Sequence, residues 1–448
     1  MPAEPAPDRA DGADDDADLG LWAIVAVGVG GMVGGGIFAV LGLSVQLTDG
    51  AAPIAFALAG TVAALTASSY SRLTVRYPSR GGTITYLNEA FGGGLLSGGL
   101  NILLWLSYVI MLSLYASAFG SYFASTFVGA DAATWVSRVA LSAVVLGLTI
   151  LNGASAADVG RAEELIVAVK IAILAVFVVA GLTVVEPARL APSEWASPAS
   201  IVGGGMLIFV AFEGFELIAN SAEDTADPAR TLPKAFAISV GGVTMLYVLV
   251  AVVTVGVLTL PQIRAASDFV LAEAARPRFG QVGFTVIGVA ALLSTASAIN
   301  ATLYGATRLT YSVAKAGELP APFAHRLRGG LGEGLIITSA LTLVLANTID
   351  LGQISTVGSA GFLIVFAAVN LAQHRLRRNG DSAVLPALGM LGCTIAFIAL
   401  IYQAASDDLV AVVLVAGTVA GAFGAELAFR RWSGRAITSA GVGPVRRR

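Results

Sequence analysis

The sequence predicts an all-α polytopic membrane protein with twelve transmembrane helices. They form a five-plus-five inverted repeat with broken first and sixth spans, followed by two more helices. Three observations carry this expectation. The 448 residues are 56% hydrophobic and 12% charged, with a mean hydropathy of +0.82, whereas soluble domains are about 25% charged. Apolar runs of about 20 residues, long enough to cross a bilayer core of about 30 Å, recur along the chain. Two of them are interrupted in the middle, one by the glycines of Val27–Phe38 and one by Phe212-Glu213-Gly214-Phe215-Glu216.

Residues 1–19 carry Glu4, Asp8, Asp11, Asp14, Asp15, Asp16 and Asp18 against Arg9 alone, and are expected to form a disordered acidic tail on the cytoplasmic side. The tail lacks the basic n-region of a cleavable signal, so the first span is expected to stay in the mature protein. Spans are expected near 21–45, 52–74, 97–126, 136–151 and 163–184, which make up a first repeat over 20–185. The inverted second repeat, 186–379, takes spans near 200–219, 236–258, 282–313, 335–350 and 355–373. Spans near 384–404 and 409–429 fill 380–432, and a basic tail covers 433–448. Five spans reverse the direction of the chain, so each half opens with its broken span from an opposite side. That parity suits inverted repeats.

Orientation follows from the basic residues. With the N-terminus inside, only Arg138, Arg189, Arg264, Arg276 and Arg278 of the 26 Lys and Arg residues fall in outer loops, and only Lys170 falls within a span. Both termini are therefore expected in the cytoplasm, with the chain in the cytoplasmic membrane. Lys170, Lys234 and Lys315 are the only lysines; the arginine bias and acidic tail are compatible with a GC-rich prokaryote. Cys393 is the single cysteine, which excludes an intramolecular disulfide and a cysteine-based metal cluster. His325 and His374 lie in or beside arginine-rich loops, and no metal site or cofactor is expected from them.

Non-helical backbone is tolerated at membrane depth only where it is enclosed by protein or lines a cavity. Paired breaks in two halves point to the binding site of a secondary transporter. In the first break, unwinding at Gly34, Gly35 and Gly36 exposes N–H groups at the positive end of a half-helix, which suits a carboxylate. Glycine also allows a ligand close to the main chain. The carbonyls of Met32 and Val33 end the upstream half and suit an ammonium. An α-amino acid offers both charges on one carbon. The alternative is that these glycines only let helices pack closely. In the sixth span the break would free carbonyls of Val210, Ala211 and Glu213, with Gly214 and Phe215 completing the substrate-binding set.

Four motifs in order resemble the amino acid–polyamine–organocation permeases. They are Gly31-Met32-Val33-Gly34-Gly35-Gly36-Ile37-Phe38, the Tyr77-Pro78…Gly81-Gly82…Tyr86 element, and Phe209–Glu216 with Glu223-Asp224, Asp227-Pro228 and Pro233. The fourth is Leu303–Leu309 with Gly317-Glu318-Leu319-Pro320. The resemblance implies that Gly35 and Gly36 hold the substrate carboxylate, the sixth-span break holds its amine, and Phe215 is a lid. Ordinary packing is the other reading of Phe215. Many relatives carry a glutamate at the cytoplasmic end of the second span, where this chain has Ser71-Arg72. A gate ion pair built on that glutamate would be absent or reversed in sign.

A charged carboxylate at the bilayer centre costs about 2.5–3.5 kcal/mol, so Glu213 and Glu216 should face the bundle interior. Glu216 matches an acidic position common in the family and is a proton-sensing candidate. Glu213 either pairs with a cationic substrate or is structural. Lys170 lies about seven residues, roughly 10 Å, from the start of its span at about 1.5 Å per residue, deep for a snorkelling side chain. It is a proton-coupling candidate. By the resemblance, sodium-independent permeases place such a lysine where relatives bind an ion, between first-span carbonyls and eighth-span hydroxyls. Ser294, Thr295 and Ser297 are the local candidates, and Ser297 is the one assigned to coupling.

The expected function is amino acid permeation by proton symport with alternating access, with amino acid or amine exchange as the alternative. A membrane receptor that binds amino acids is disfavoured, as is a channel. No enzymatic motif stands out, and no nucleic-acid partner is expected. The expected partners are a small-molecule amino acid, protons and the lipid bilayer, and the expected assembly is a monomer or weak homodimer.

Overall fold

The computed structural model describes residues 19–79, 81–129, 132–154, 159–315, 332–378 and 380–433. The acidic tail up to residue 18, Arg80, the Gly317–Pro320 element with His325, and the basic tail beyond Ser433 lie outside the described residues.

The described residues are helical and form no strand; two isolated β-bridges pair Leu19 with Thr225 and Asp49 with Trp195. The first apolar run is split into α1 (Leu21–Met32) and α2 (Gly36–Thr48), bent by 46°. There follow α3 (Ala52–Arg76), the short α4 (Thr83–Phe91), α5 (Leu95–Phe127), α6 (Thr134–Ala154) and α7 (Val159–Gly181). The sixth run is α8 (Pro198–Leu207), a 3-10 turn (Ile208–Phe212) and α9 (Leu217–Asn220). Then come α10 (Pro228–Val257), α11 (Leu260–Ala265), α12 (Val270–Lys315, non-helical at Gly280), α13 (Glu333–Thr348), α14 (Leu351–Arg375), α15 (Val384–Asp407) and α16 (Leu409–Ser433).

Local chemistry sets several boundaries. Proline stands in the first turn of α3, α8, α10 and α11, where its missing N–H costs nothing. Ser197 caps α8 by accepting from Ser200 N–H at 3.1 Å, and Asp350 caps α14 by accepting from Gln353 N–H at 2.9 Å.

Among the described residues, ten helices are long and apolar enough to cross a membrane, or eleven if the bent α1–α2 pair is one span. The chain is a multi-pass membrane protein. The expected ninth span is the helix α13 of 16 residues, slightly below the roughly 17–25 residues that span a bilayer.

The long α5 is the axis of the molecule, packed against α6, α12, α14 and α16. The apolar window of α5 is 83% buried and that of α16 only 22%, so α5 is wrapped by protein while α16 turns most of its surface to lipid. At the membrane face where α1 begins, hereafter the N-terminal face, Arg76 at the end of α3 pairs with Asp381 at 2.6 Å and also donates to Leu376 O. The end of α3 thus contributes the cation of an ion pair.

Candidate functional site at the two helix breaks

Both breaks lie beside α5, and the backbone closes on itself there. In the first, Gly34 N–H bonds back to Gly31 O at 3.3 Å, and the first regular bond of α2 runs from Ala39 N–H to Gly35 O at 3.0 Å. The N–H groups from Gly35 to Phe38 therefore stand at the N-terminus of α2 ahead of that ladder. In the second, Gly214 has φ +111°, a conformation side-chain-bearing residues rarely adopt. It follows Glu213 in extended backbone at φ −63°, ψ 150°.

The glycines let the two breaks touch. A Cβ on Gly36 would lie 2.7 Å from Ala211 Cα, and one on Gly214 would lie 2.5 Å from Gly31 C. A Cβ on Gly35 would meet Tyr115 Cδ1 at 2.3 Å, and one on Gly34 would meet Ala298 Cβ at 2.7 Å. The Tyr115 ring thus packs on the side of Gly35 where a Cβ would stand.

The carbonyls expected to be free are in part engaged. Tyr247, from α10, places its hydroxyl 2.7 Å from Met32 O and 3.2 Å from Ala211 O, bridging the two breaks. Val210 O accepts from Glu213 N–H at 3.2 Å, because the chain tightens into a 3-10 turn instead of unwinding. Glu213 O has no protein donor among the described residues. On the other side, α14 secures the break: Ser355 and Ser359 donate to Leu207 O at 2.8 and 2.7 Å, while Val210 N–H donates to Ser359 Oγ at 3.0 Å.

Glu213 and Glu216 are 3% and 1% exposed, and both face α5. Tyr115 donates to Glu213 Oε2 at 3.3 Å, and Tyr108 donates to Glu216 Oε1 at 3.2 Å. Gly214 N–H donates to Glu216 Oε2 at 2.8 Å. Among the described residues no Lys or Arg forms an ion pair with either carboxyl. Tyr108 and Tyr115 are two turns apart on one face of α5. Phe215 is fully buried in an aromatic cluster, 5.5 Å from Tyr70, 5.2 Å from Phe366 and 6.5 Å from Phe236 between ring centres.

Lys170, on α7, is 2% exposed, and its Nζ donates to Gly30 O at 3.0 Å. Its α1 partner is thus a first-span carbonyl two residues ahead of Met32. On α12, Ser297 is half-buried. Thr295 donates to Ala291 O of its own helix at 2.7 Å, and Ser294 Oγ is buried without a partner among the described residues.

The structure therefore brings together Met32, Gly34, Gly35, Gly36, Val210, Ala211, Glu213 and Gly214, with Lys170 one turn away along α1. It sets Ser297 and Phe215 outside that contact. Tyr108, Tyr115 and Tyr247 were not foreseen. Each is a lone phenol in an apolar run, and that polarity was the only available signal.

A sequence profile described as amino acid permease matches residues 19–423. An uncharacterised protein of Methanocaldococcus jannaschii is 36% identical over 80% of this chain and 82% of its own length. The inner membrane transport protein YbaT of Escherichia coli is 33% identical over 91% of this chain and 95% of its own. The methylthioribose transporter of Bacillus subtilis is 26% identical over 81% of each.

Proposed function

The chain belongs to the amino acid permease family, and from that premise we propose that it is a secondary transporter carrying an amino acid into the cytoplasm together with a proton. A membrane transporter, rather than an enzyme, is what the family and the named relatives have in common. The observation that carries the proton-coupled reading is the bond from buried Lys170 to Gly30 O at 3.0 Å, just ahead of the first break. Protonated, Lys170 holds α1 to α7. Deprotonated, its neutral amine binds that carbonyl more weakly, and α1 is released to move against its neighbours.

In this reading the substrate carboxylate lies on the N–H groups at the start of α2, and its approach to Gly35 displaces the Tyr115 ring. The amine meets the carbonyl edge of the second break at Glu213, and Glu216 takes part in proton handling. The two β-bridges support the inverted arrangement. One joins the residue ahead of α1 to the segment after α9, and the other joins the turn after α2 to the segment ahead of α8. The N-terminal face is taken as cytoplasmic, with twelve spans counting α13 and the bent pair.

Uptake into proteoliposomes under an imposed proton gradient tests the reading, with amino acids, amines and methylthioribose offered in turn. Wild type should concentrate an amino acid. Lys170→Ala should lose that accumulation with no rescue by sodium, and Lys170→Arg should fail too, because the guanidinium stays charged. A Lys170→Arg variant that concentrates substrate with an unchanged pH profile would falsify the coupling role. Uptake that needs internal substrate and ignores the gradient would identify an exchanger.

A further inference from the structure

Next to the buried carboxyls lies a small cavity of about 20 Å³, lined by Gly81, Thr83, Tyr108, Leu217, Asn220 and Thr302 among others. A space of about 10–15 Å³ holds one water molecule if two to four polar groups face it. Thr302 is 7% exposed. Its hydroxyl and the Asn220 amide both belong to the cavity lining, and such groups suit a water. Tyr108 also lines the cavity, and its hydroxyl donates to Glu216 Oε1 at 3.2 Å. One phenol thus touches a carboxyl sealed at 1% exposure and lines a water-sized space that also has Thr83, Asn220 and Thr302 on its wall. Gly81, in the turn between α3 and α4 on the N-terminal face, also lines that space.

We propose that this cavity is the cytoplasmic end of a proton route, with Glu216 at its inner end and Tyr108 as the link; the inference rests on the symport reading above. The groups facing Glu216 are Glu213 and Gly214 N–H from its own break, Tyr108 and Tyr115 from α5, and Tyr70 from α3. Among the described residues no Lys or Arg forms an ion pair with Glu216. The release step balances. The Glu216 O–H proton passes to Tyr108 Oη while the Tyr108 proton passes to the cavity water. Glu216 is left as a carboxylate and Tyr108 neutral, and the hydronium gives its proton to water at the face. Lys170 bonds to α1 on the other side of the breaks and takes no part in this step.

The test uses purified full-length protein in proteoliposomes with a pH-sensitive dye trapped inside. Tyr108→Phe keeps the ring and its edge contact with Phe362 at 5.9 Å but removes the hydroxyl. Substrate-evoked proton flux and proton-driven accumulation should fall about tenfold or more, while substrate binding and substrate–substrate exchange stay within about twofold of wild type. Thr302→Val, which keeps shape and removes a water ligand, should move the same two readouts in the same direction and carries the test if the first variant does not fold. Wild-type proton flux in Tyr108→Phe overturns the route. An equal loss of exchange and proton flux also overturns it, because that pattern belongs to a packing role. Wild-type protein that takes up substrate without any response to the gradient overturns the symport reading, and the route with it.

Discussion

Glu213 ends the 3-10 turn in extended backbone, and the positive φ of Gly214 directly after it reverses the chain. This pair of conformations brings both Glu213 and Glu216 round to α5, although they are three residues apart. A carboxylate recognising a substrate side chain should discriminate by charge. Glu213→Gln is expected to weaken binding of arginine and lysine by about tenfold and to change leucine and alanine by less than about twofold, since a charge-assisted bond is roughly twice as strong as a neutral one. Equal changes across that panel, measured by thermal shift, would make the residue structural. Gly36 is tested by backbone contact instead of charge. Its Cβ would press on Ala211 Cα at 2.7 Å, and main chain gives way less readily than a side chain. Gly36→Ala should abolish uptake and lower stability by about 1–3 kcal/mol; normal uptake would remove Gly36 from the site. At this scale the sequence was only partly informative. Glycine density marked the break, because so many glycines within one apolar run are costly without a purpose. The tyrosines could not be assigned, because which face of α5 or α10 they occupy depends on packing that the run of apolar residues does not encode.

Helices were more legible than their joints. The expected second, third and tenth spans, 52–74, 97–126 and 355–373, lie within α3, α5 and α14, because continuous apolar runs specify length directly. The extensions of α10 back to Pro228 and of α12 back to Val270 were missed, since Pro228–Lys234 and Glu273–Gly280 break the apolar runs with charges, proline and glycine and read as loop. The short amphipathic α4 was missed for the same reason. Tyr247 shows what the joints add: one hydroxyl on α10 serves carbonyls on both broken spans. Tyr247→Phe leaves those two buried acceptors competing for no donor, and each unsatisfied group costs about 1–3 kcal/mol. A lower melting temperature with reduced uptake is expected, and an unchanged melting curve would show that the bridge carries no load. The end of α3 has its own tie. Asp381 is held below the usual carboxylate range, first by the Arg378 N–H and then by Arg76. A lowered carboxyl contributes stability above its unfolded range that is lost as pH falls through its folded value. The tie to Arg76 should therefore be intact at neutral pH and disappear on acidification, and Asp381→Asn should abolish that pH dependence of stability.

For the molecule as a whole, the two β-bridges sit at opposite ends of the broken spans, and their positions suggest what must open. Leu19 is held to the segment after α9 by Leu19 N–H to Asp224 O at 2.7 Å and Ala226 N–H to Leu19 O at 3.1 Å. At the other face, Gly50 N–H bonds to Glu194 O at 3.0 Å and Ala196 N–H to Thr48 O at 3.4 Å. If substrate leaves towards the N-terminal face by movement of α1 away from α9, the Leu19–Thr225 bridge has to part while the Asp49–Trp195 bridge stays closed, and the reverse holds for entry. Asp49 and Trp195 pair across an antiparallel bridge, where Cα atoms lie about 4.5–5.5 Å apart, and Leu19 and Thr225 across a parallel one, where neighbouring segments lie about 4.7–4.9 Å apart; both fall within the range of about 4.4–6.8 Å that a disulfide needs. Cys393, the only native cysteine, is buried and should not interfere. Leu19→Cys with Thr225→Cys, oxidised, is expected to stop transport while the site still binds substrate offered from the face opposite the N-terminus. Asp49→Cys with Trp195→Cys should also stop transport but leave binding from the N-terminal face. Reduction should restore both. Binding measured on vesicles of each orientation separates the two locks. If both crosslinked proteins still transport, the bridges are passive clamps and the broken spans move without parting at their ends.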